Sequence, residues 1–126
     1  MKILIVDGYN VINKVKYLSD IADRSLKDAR EAVTKLANEY KRRDGGISEV
    51  YVIFDGKDQY RELDIPRPKE HIFSKTGEGD RKVIEMIGKF QDKATVVVVS
   101  DDNYVRNNAR AYNASLLRPI ELIKRK

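Results

Sequence analysis

Cysteine is absent from the chain, which excludes disulfides, thiolate zinc sites and cysteine nucleophiles together. Histidine is almost absent: His71 stands alone on a short presumed strand, where packing or surface exposure is the simpler role. A Ser-His-Asp mechanism therefore has little to build on. No stretch approaches the ~18 uninterrupted apolar residues of a membrane helix. The opening Met1-Lys2-Ile3-Leu4-Ile5-Val6 meets an acid at once, too early for a secretory signal. These absences make the cytoplasm the expected location and leave no membrane partner. There is no Gly-rich loop ending in Lys-Ser/Thr, so a P-loop route to nucleotide hydrolysis is excluded. Internal repeats, low-complexity tracts and linkers are also missing, and 126 residues are read as one domain, 1–126.

What is present is charge. Twenty-five Lys and Arg face twenty Asp and Glu, a formal net charge of +5 that suits a polyanionic partner. Alone this is weak, because many basic domains bind no nucleic acid. The placement of the acids carries more.

Lys2 to Val6 is a short continuous apolar run, the pattern of a strand buried on both faces, and Asp7-Gly8-Tyr9-Asn10 breaks it. A long helix is expected from Ser25, a good N-cap, with Leu26, Ala29, Val33, Leu36 and Tyr40 at helical spacing. Gly45-Gly46 stops it after Lys41, Arg42 and Arg43. Val50 to Phe54 is the second strand, and the polar, proline-containing Lys57 to Lys69 is a loop. His71 to Ser74 is a third strand, Asp80 to Phe90 a helix, Ala94 to Val99 a fourth strand. A helix with Val105, Ala109 and Tyr112, a short strand at Ser115 to Leu117 and a helical turn within 118–123 complete the chain. Strands alternating with helices imply βαβ units. The expected fold is a three-layer α/β/α domain around a central, mainly parallel sheet of about five strands.

Three of these strands end in acid: Asp7, Asp55, and the pair Asp101-Asp102. In a parallel sheet those ends share one edge, and Glu78 and Asp80, at the start of a helix, can reach it. Carboxylates gathered so closely repel unless a cation sits among them. Oxygen-only donors suit Mg²⁺ or Mn²⁺, which can activate water and polarise a phosphodiester. Arg61, Arg67, Lys69, Lys75, Arg81 and Lys82 lie in or beside the loop and helix start expected to face this edge, a candidate RNA-binding rim.

Each acid also has a plain structural explanation. Asp-Gly after a strand is commonly a turn, and Asp80, Asp101 and Asp102 can each cap a helix. Tyr9, Tyr51, Tyr60 and Tyr104 could stack on bases, although tyrosines near strands and helices more often pack. The tail Lys124-Arg125-Lys126 reads as a solvated end.

The motifs resemble a known family. Ile5-Val6-Asp7-Gly8-Tyr9-Asn10-Val11-Ile12 resembles the opening motif of NYN domains, in particular the YacP-like branch of the PIN-like nuclease superfamily. Val52-Ile53-Phe54-Asp55-Gly56, then Thr76-Gly77-Glu78-Gly79-Asp80 followed by Val83-Ile84-Glu85, then Val97-Val98-Val99-Ser100-Asp101 resemble the next three motifs in order. The third is one residue shorter than usual. The C-terminal helical extension of many YacP-like proteins is not expected here. The resemblance implies a PIN-like sheet and a metal-dependent endoribonuclease. It implies Asp7, Asp55, Asp80 and Asp101 as metal-binding acids, with Glu78 and Asp102 auxiliary. Asn10 would orient Asp7 or contact phosphate, and Ser100 would hydrogen-bond a carboxylate or a phosphate oxygen. Single-stranded or structured RNA is the implied substrate, with room for a ribosome or another partner that supplies specificity. The alternative is a non-catalytic module binding RNA or a protein partner on the same fold.

Overall fold

The apolar run behind Met1 forms β1 (Lys2–Asp7), followed in the chain by β2 (Ile47–Asp55), β3 (His71–Ser74), β4 (Thr95–Val99) and β5 (Ser115–Leu117). In the computed structural model, which describes residues 1–44 and 46–123, these strands make one sheet in the order β3-β2-β1-β4-β5. Every pairing is parallel. The helices are α1 (Gly8–Lys14), α2 (Lys16–Arg24), α3 (Leu26–Arg43), α4 (Gln59–Glu62), α5 (Gly79–Phe90) and α6 (Asn103–Ala111), and a 3₁₀ turn spans Pro119–Leu122.

β1 lies at the centre of the sheet, so its alternating side chains enter two cores. Leu4 and Val6 pack with Val52, Phe54, Val97 and Val99 against Val11, Leu18, Ala29, Val33 and Ala37 of α1 to α3. Ile3 and Ile5 pack with Ile53, Val96 and Val98 against Val83 and Ile87 of α5 and Val105 and Ala109 of α6. Burial on both faces explains the unbroken apolar run. The result is the three-layer α/β/α domain with five parallel strands that the sequence pattern calls for. No helix of the described residues is long and apolar enough to cross a membrane.

The differences from the sequence reading have local causes. α1 and α2 occupy residues the sequence reading leaves unassigned; both helices are short, and between them they bury Gly8, Val11, Ile12 and Leu18, with Ile21 and Ala22 packed at the core's margin. β2 starts at Ile47 rather than Val50, since polar Ser48 and Glu49 hide its first turn of the ladder; the register with β1 shifts there. A single helical turn, α4, interrupts the expected loop, with Asp58 accepting from the Arg61 N–H. α3 begins as expected, Ser25 Oγ accepting from the Asp28 N–H, but its buried face includes Arg30 and Thr34 while Leu26 is exposed. Its C-cap is Asp44, which also pairs with Lys2 at 2.8 Å. The expected stop at Gly45-Gly46 lies partly, and the tail Lys124-Arg125-Lys126 wholly, outside the described residues.

His71 is fully buried on β3, its Nε2 2.7 Å from Thr34 Oγ1, and burial pushes its pKa down to about 4. Its role is packing, edge-on to Phe54 and Tyr60.

The turn out of β1 tolerates no side chain at its first residue. A Cβ on Gly8 would stand 2.4 Å from the Phe54 ring and 2.7 Å from the Ile53 carbonyl oxygen. Both neighbours are core, so Gly8→Ala should destabilise by about 1–3 kcal/mol through overpacking. Urea unfolding checks this, and an unchanged midpoint would disprove the close approach.

Candidate active site

The strand order reverses at β1: the chain moves outward through β2 and β3, then returns to place β4 on the other side. In parallel α/β sheets such a switch point opens a crevice beyond the carboxyl ends of the strands. Here the flanking residues are Asp7, ending β1, and Ser100, just after β4. Ser100 is fully buried and its Oγ–H donates to Asp7 Oδ2 at 2.8 Å. The Asp101 N–H donates to Asn10 Oδ1 at 2.8 Å, and the Asp102 N–H to Ser100 Oγ at 3.0 Å. Arg106 Nη1 donates to the Ser100 carbonyl at 2.9 Å. The two turns at the switch point are thus stitched together by side chains from both.

Above them lies a cavity of about 150 Å³ lined by Asp7, Tyr9, Asn10, Ile53, Asp55, Gly79, Asp80 and Asp102. Of the residues expected there, Asp7, Asn10, Asp55 and Asp80 are present, joined by Asp102. Asp102 also N-caps α6, accepting from the Val105 N–H at 3.0 Å. Asp101 is not in the lining; its carboxylate lies 3.9 Å from Arg118 Nη1. Asp55 accepts from the Gly77 N–H at 2.7 Å and the Gly79 N–H at 3.2 Å, so it closes the turn that leads into α5. A Cβ on Gly79 would meet Asp55 Cβ at 2.9 Å, which explains a glycine at that helix start.

Glu78 turns the other way. It pairs with Arg81 at 3.5 Å and lines a neighbouring groove of about 350 Å³ with Phe73, Ser74, Lys75, Lys82 and Glu85. The first turn of α5 therefore separates an acidic pocket from a groove carrying three cations. Arg61 is exposed on α4, and Arg67 pairs with Asp58 at 2.7 Å. Lys69 does not join the rim: it lies with Lys41 and Arg42 in a groove beside the opposite, N-terminal half of β2. Tyr9 and Arg30 are the residues that motif reading undervalues. The signal for Arg30 was its position between Ala29 and Val33, on the buried stripe of α3.

Charge repulsion is visible in the pocket. Burial, and then the carboxylates of Asp80, Asp102 and Asp55, push Asp7 from an ordinary 3.8 to about 6, against the opposing Ser100 hydrogen bond. Asp80 is raised as well, by burial and by Asp102 and Asp55. Among the described residues, no three His, Cys, Asp or Glu side chains stand arranged to hold an ion directly. An all-oxygen donor set of this kind fits a hydrated hard cation, because Mg²⁺ keeps several waters and needs only one or two carboxylates.

A model of the YacP-like NYN domain matches residues 4–125, nearly the whole chain. The chain belongs to the YacP-like NYN domain family. NYN domains form part of the PIN-like nuclease superfamily, so the acidic edge lies in a nuclease-type fold. The uncharacterized protein YacP of Bacillus subtilis (strain 168) is 29% identical over 136 residues, spanning 100% of this chain and 79% of that protein. The crystal structure of Rae1 (YacP) from Bacillus subtilis superposes with a TM-score of 0.74 at 26% identity, covering 97% of this chain and 72% of Rae1.

The Asp7 shift carries a sign that can be tested on this NYN domain without substrate. A raised carboxyl pKa means that the folded state holds the proton more tightly than the unfolded chain. Its stabilising contribution is complete below pH 3.8 and is lost as pH rises through about 6. At neutral pH the ionised form carries a penalty of roughly 3 kcal/mol. Asp7→Asn should therefore raise the melting temperature at pH 7.5 in EDTA and lose that advantage at pH 4. A variant less stable than wild type at pH 7.5 would show that Asp7 is not under strain.

Proposed function

We propose that this NYN domain is a metal-dependent endoribonuclease that hydrolyses RNA phosphodiester bonds at the acidic pocket, with Mg²⁺ or Mn²⁺ as cofactor. The observation that carries the reading is the convergence of Asp7, Asp55, Asp80 and Asp102 on one small cavity, with Asp7 pushed up to about 6 by burial and by its neighbours. Such repulsion has no benefit to folding and is relieved by a cation. Asp7, Asp80 and Asp102 are the side chains suited to hold it, one or two directly and the rest through its bound waters. Asp55 is engaged by two backbone N–H groups and serves to shape the pocket. When bound, a divalent ion polarises a phosphodiester and lowers the pKa of its water.

The protein's own groups do the remaining work. Ser100 donates to one Asp7 oxygen and leaves the other without a hydrogen-bond donor among the described residues, free for ligation. Asn10 holds the β4–α6 turn and so fixes Asp102 relative to Asp7. Asp101, paired with Arg118, contributes from outside the lining. Lys75, Arg81 and Lys82 flank the pocket across the first turn of α5, where a strand's phosphates would lie, and the exposed Arg61 of α4 is a further candidate phosphate contact. Glu78 tempers this positive flank by pairing with Arg81. So small a surface reads little sequence, which favours a ribosome or a specificity partner as presenter of the RNA. A chain without cysteine suits work in the cytoplasm.

The test is cleavage of labelled single-stranded and structured RNAs in Mn²⁺, Mg²⁺ or EDTA. Wild type should cut only with metal, and Asp7→Asn should lose about a hundredfold or more in rate while unfolding cooperatively. Binding without cutting under any metal would replace the enzyme by a binding module. Replacing Lys75, Arg81 and Lys82 by Gln should lower the slope of log affinity against log salt by about 0.7 for each phosphate no longer neutralised. An unchanged slope would move the RNA path elsewhere.

A further inference from the structure

Arg30 sits in an environment unusual for an arginine. It lies on the buried face of α3 with 1% of its surface exposed, and it forms no salt bridge among the described residues. Its guanidinium carbon is 5.3 Å from the Tyr60 ring centroid and 6.0 Å from that of Phe73. Nη2 donates to Gln59 Oε1 at 2.9 Å, Nη1 donates to the Tyr9 hydroxyl oxygen at 3.3 Å, and Nε has no partner.

Packing does not account for this residue. A buried charge without a counter-ion is unfavourable, and an apolar side chain of similar volume commonly serves stability as well or better. The unpartnered Nε adds an unsatisfied donor to the same place. What distinguishes arginine from methionine here is what its two forked donors hold. One holds Tyr9, which lines the acidic pocket and leans on Phe54 at 5.0 Å between ring centroids. The other holds Gln59 at the start of α4, just beyond Asp55 and the end of β2. The guanidinium thus ties the β1 turn to the β2 turn from beneath, as Ser100 and Asn10 tie the β1 turn to the β4 turn from the other side.

We infer that Arg30 is a positioning residue for the acidic pocket, and that it acts through Tyr9 as a contact to a phosphate of the bound strand. The chemistry is directional. A phenol oxygen that accepts from a guanidinium keeps its own O–H free to donate, and no protein acceptor for that proton occurs among the described residues. A phosphate oxygen entering beside Asp7 would supply one, without adding another negative charge to the protein wall. This rests on the nuclease reading, because it assigns Tyr9 to the same site.

The test uses the full chain and three variants: Arg30→Met, Tyr9→Phe and the double. Thermal melts should show Arg30→Met folding cooperatively, as stable as wild type or more so. Its kcat/KM for metal-dependent RNA cleavage should nonetheless fall on the order of tenfold or more, as misplacement of a pocket group produces. Tyr9→Phe should fall by a similar factor, and the double variant should be no worse than either, because both changes remove the same linked interaction. Affinity for a short labelled oligoribonucleotide, measured in EDTA, should drop by the same factor in all three. Losses that multiply in the double variant, or a Tyr9→Phe protein with wild-type cleavage and affinity, would overturn the inference. So would an Arg30→Met activity loss that merely follows its unfolded fraction. Wild type that binds RNA but never cuts it would instead refute the nuclease reading, and the affinity comparison would still decide the role of Arg30.

Discussion

The hydrogen bond from Ser100 to Asp7 joins the two strands between which the chain reverses its order. It exists because β1 and β4 are neighbours, run parallel and end at the same level, with Val6 beside Val99. Asp7 is thereby held nearly out of water after the aliphatic run Ile3 to Val6, where its charge is unwelcome. The neighbouring acids arrive by the same geometry: Asp55 from the next strand, Asp80 from the first turn of α5 and Asp102 from the cap of α6. One buried carboxylate and the parallel order of strands are enough to generate the site's electrostatics.

The site therefore stands in tension with the fold that carries it. The same core that stabilises the domain raises Asp7 by desolvation, and the carboxylates that crowd it raise it further. Polar clamps offset part of this. Ser100 and Asn10 fix turns rather than pack, and Asp55 lies against two glycine N–H groups at the entrance to α5. A domain of this kind keeps local rules of stability almost everywhere and departs from them where the acids meet.

Much of this was legible in the sequence, for physical reasons. Strands buried on both faces show as unbroken apolar runs, so β1 and β4 could be bounded nearly to the residue, whereas β3 and β5, partly exposed at the sheet's edges, are short apolar segments delimited by polar neighbours. A parallel sheet then brings strand-terminal acids to one edge without any further information. The limits are equally physical. α1 and α2 are short, and the apolar stripe of α2, Leu18, Ile21 and Ala22, spans little more than one turn, so neither stands out from the polar residues around it. Asp101 and Asp102 are adjacent in sequence, and which of them turns into the cavity depends on the dihedral angles of a single turn. Arg30 was hidden because a charged residue on an apolar stripe is ordinarily taken as the stripe's margin. Its burial depends on Tyr60 and Phe73, which are far away along the chain.

The outermost strands of the sheet are short, four residues in β3 and three in β5, while the long, hydrophobic β1 lies in the middle. Exposed strand edges are templates on which other chains can add. With so few free ladder positions at either side, this sheet gives a foreign strand little to grip. The most amyloid-prone segments, the aliphatic runs of β1 and β4, stay sequestered for as long as the domain remains folded.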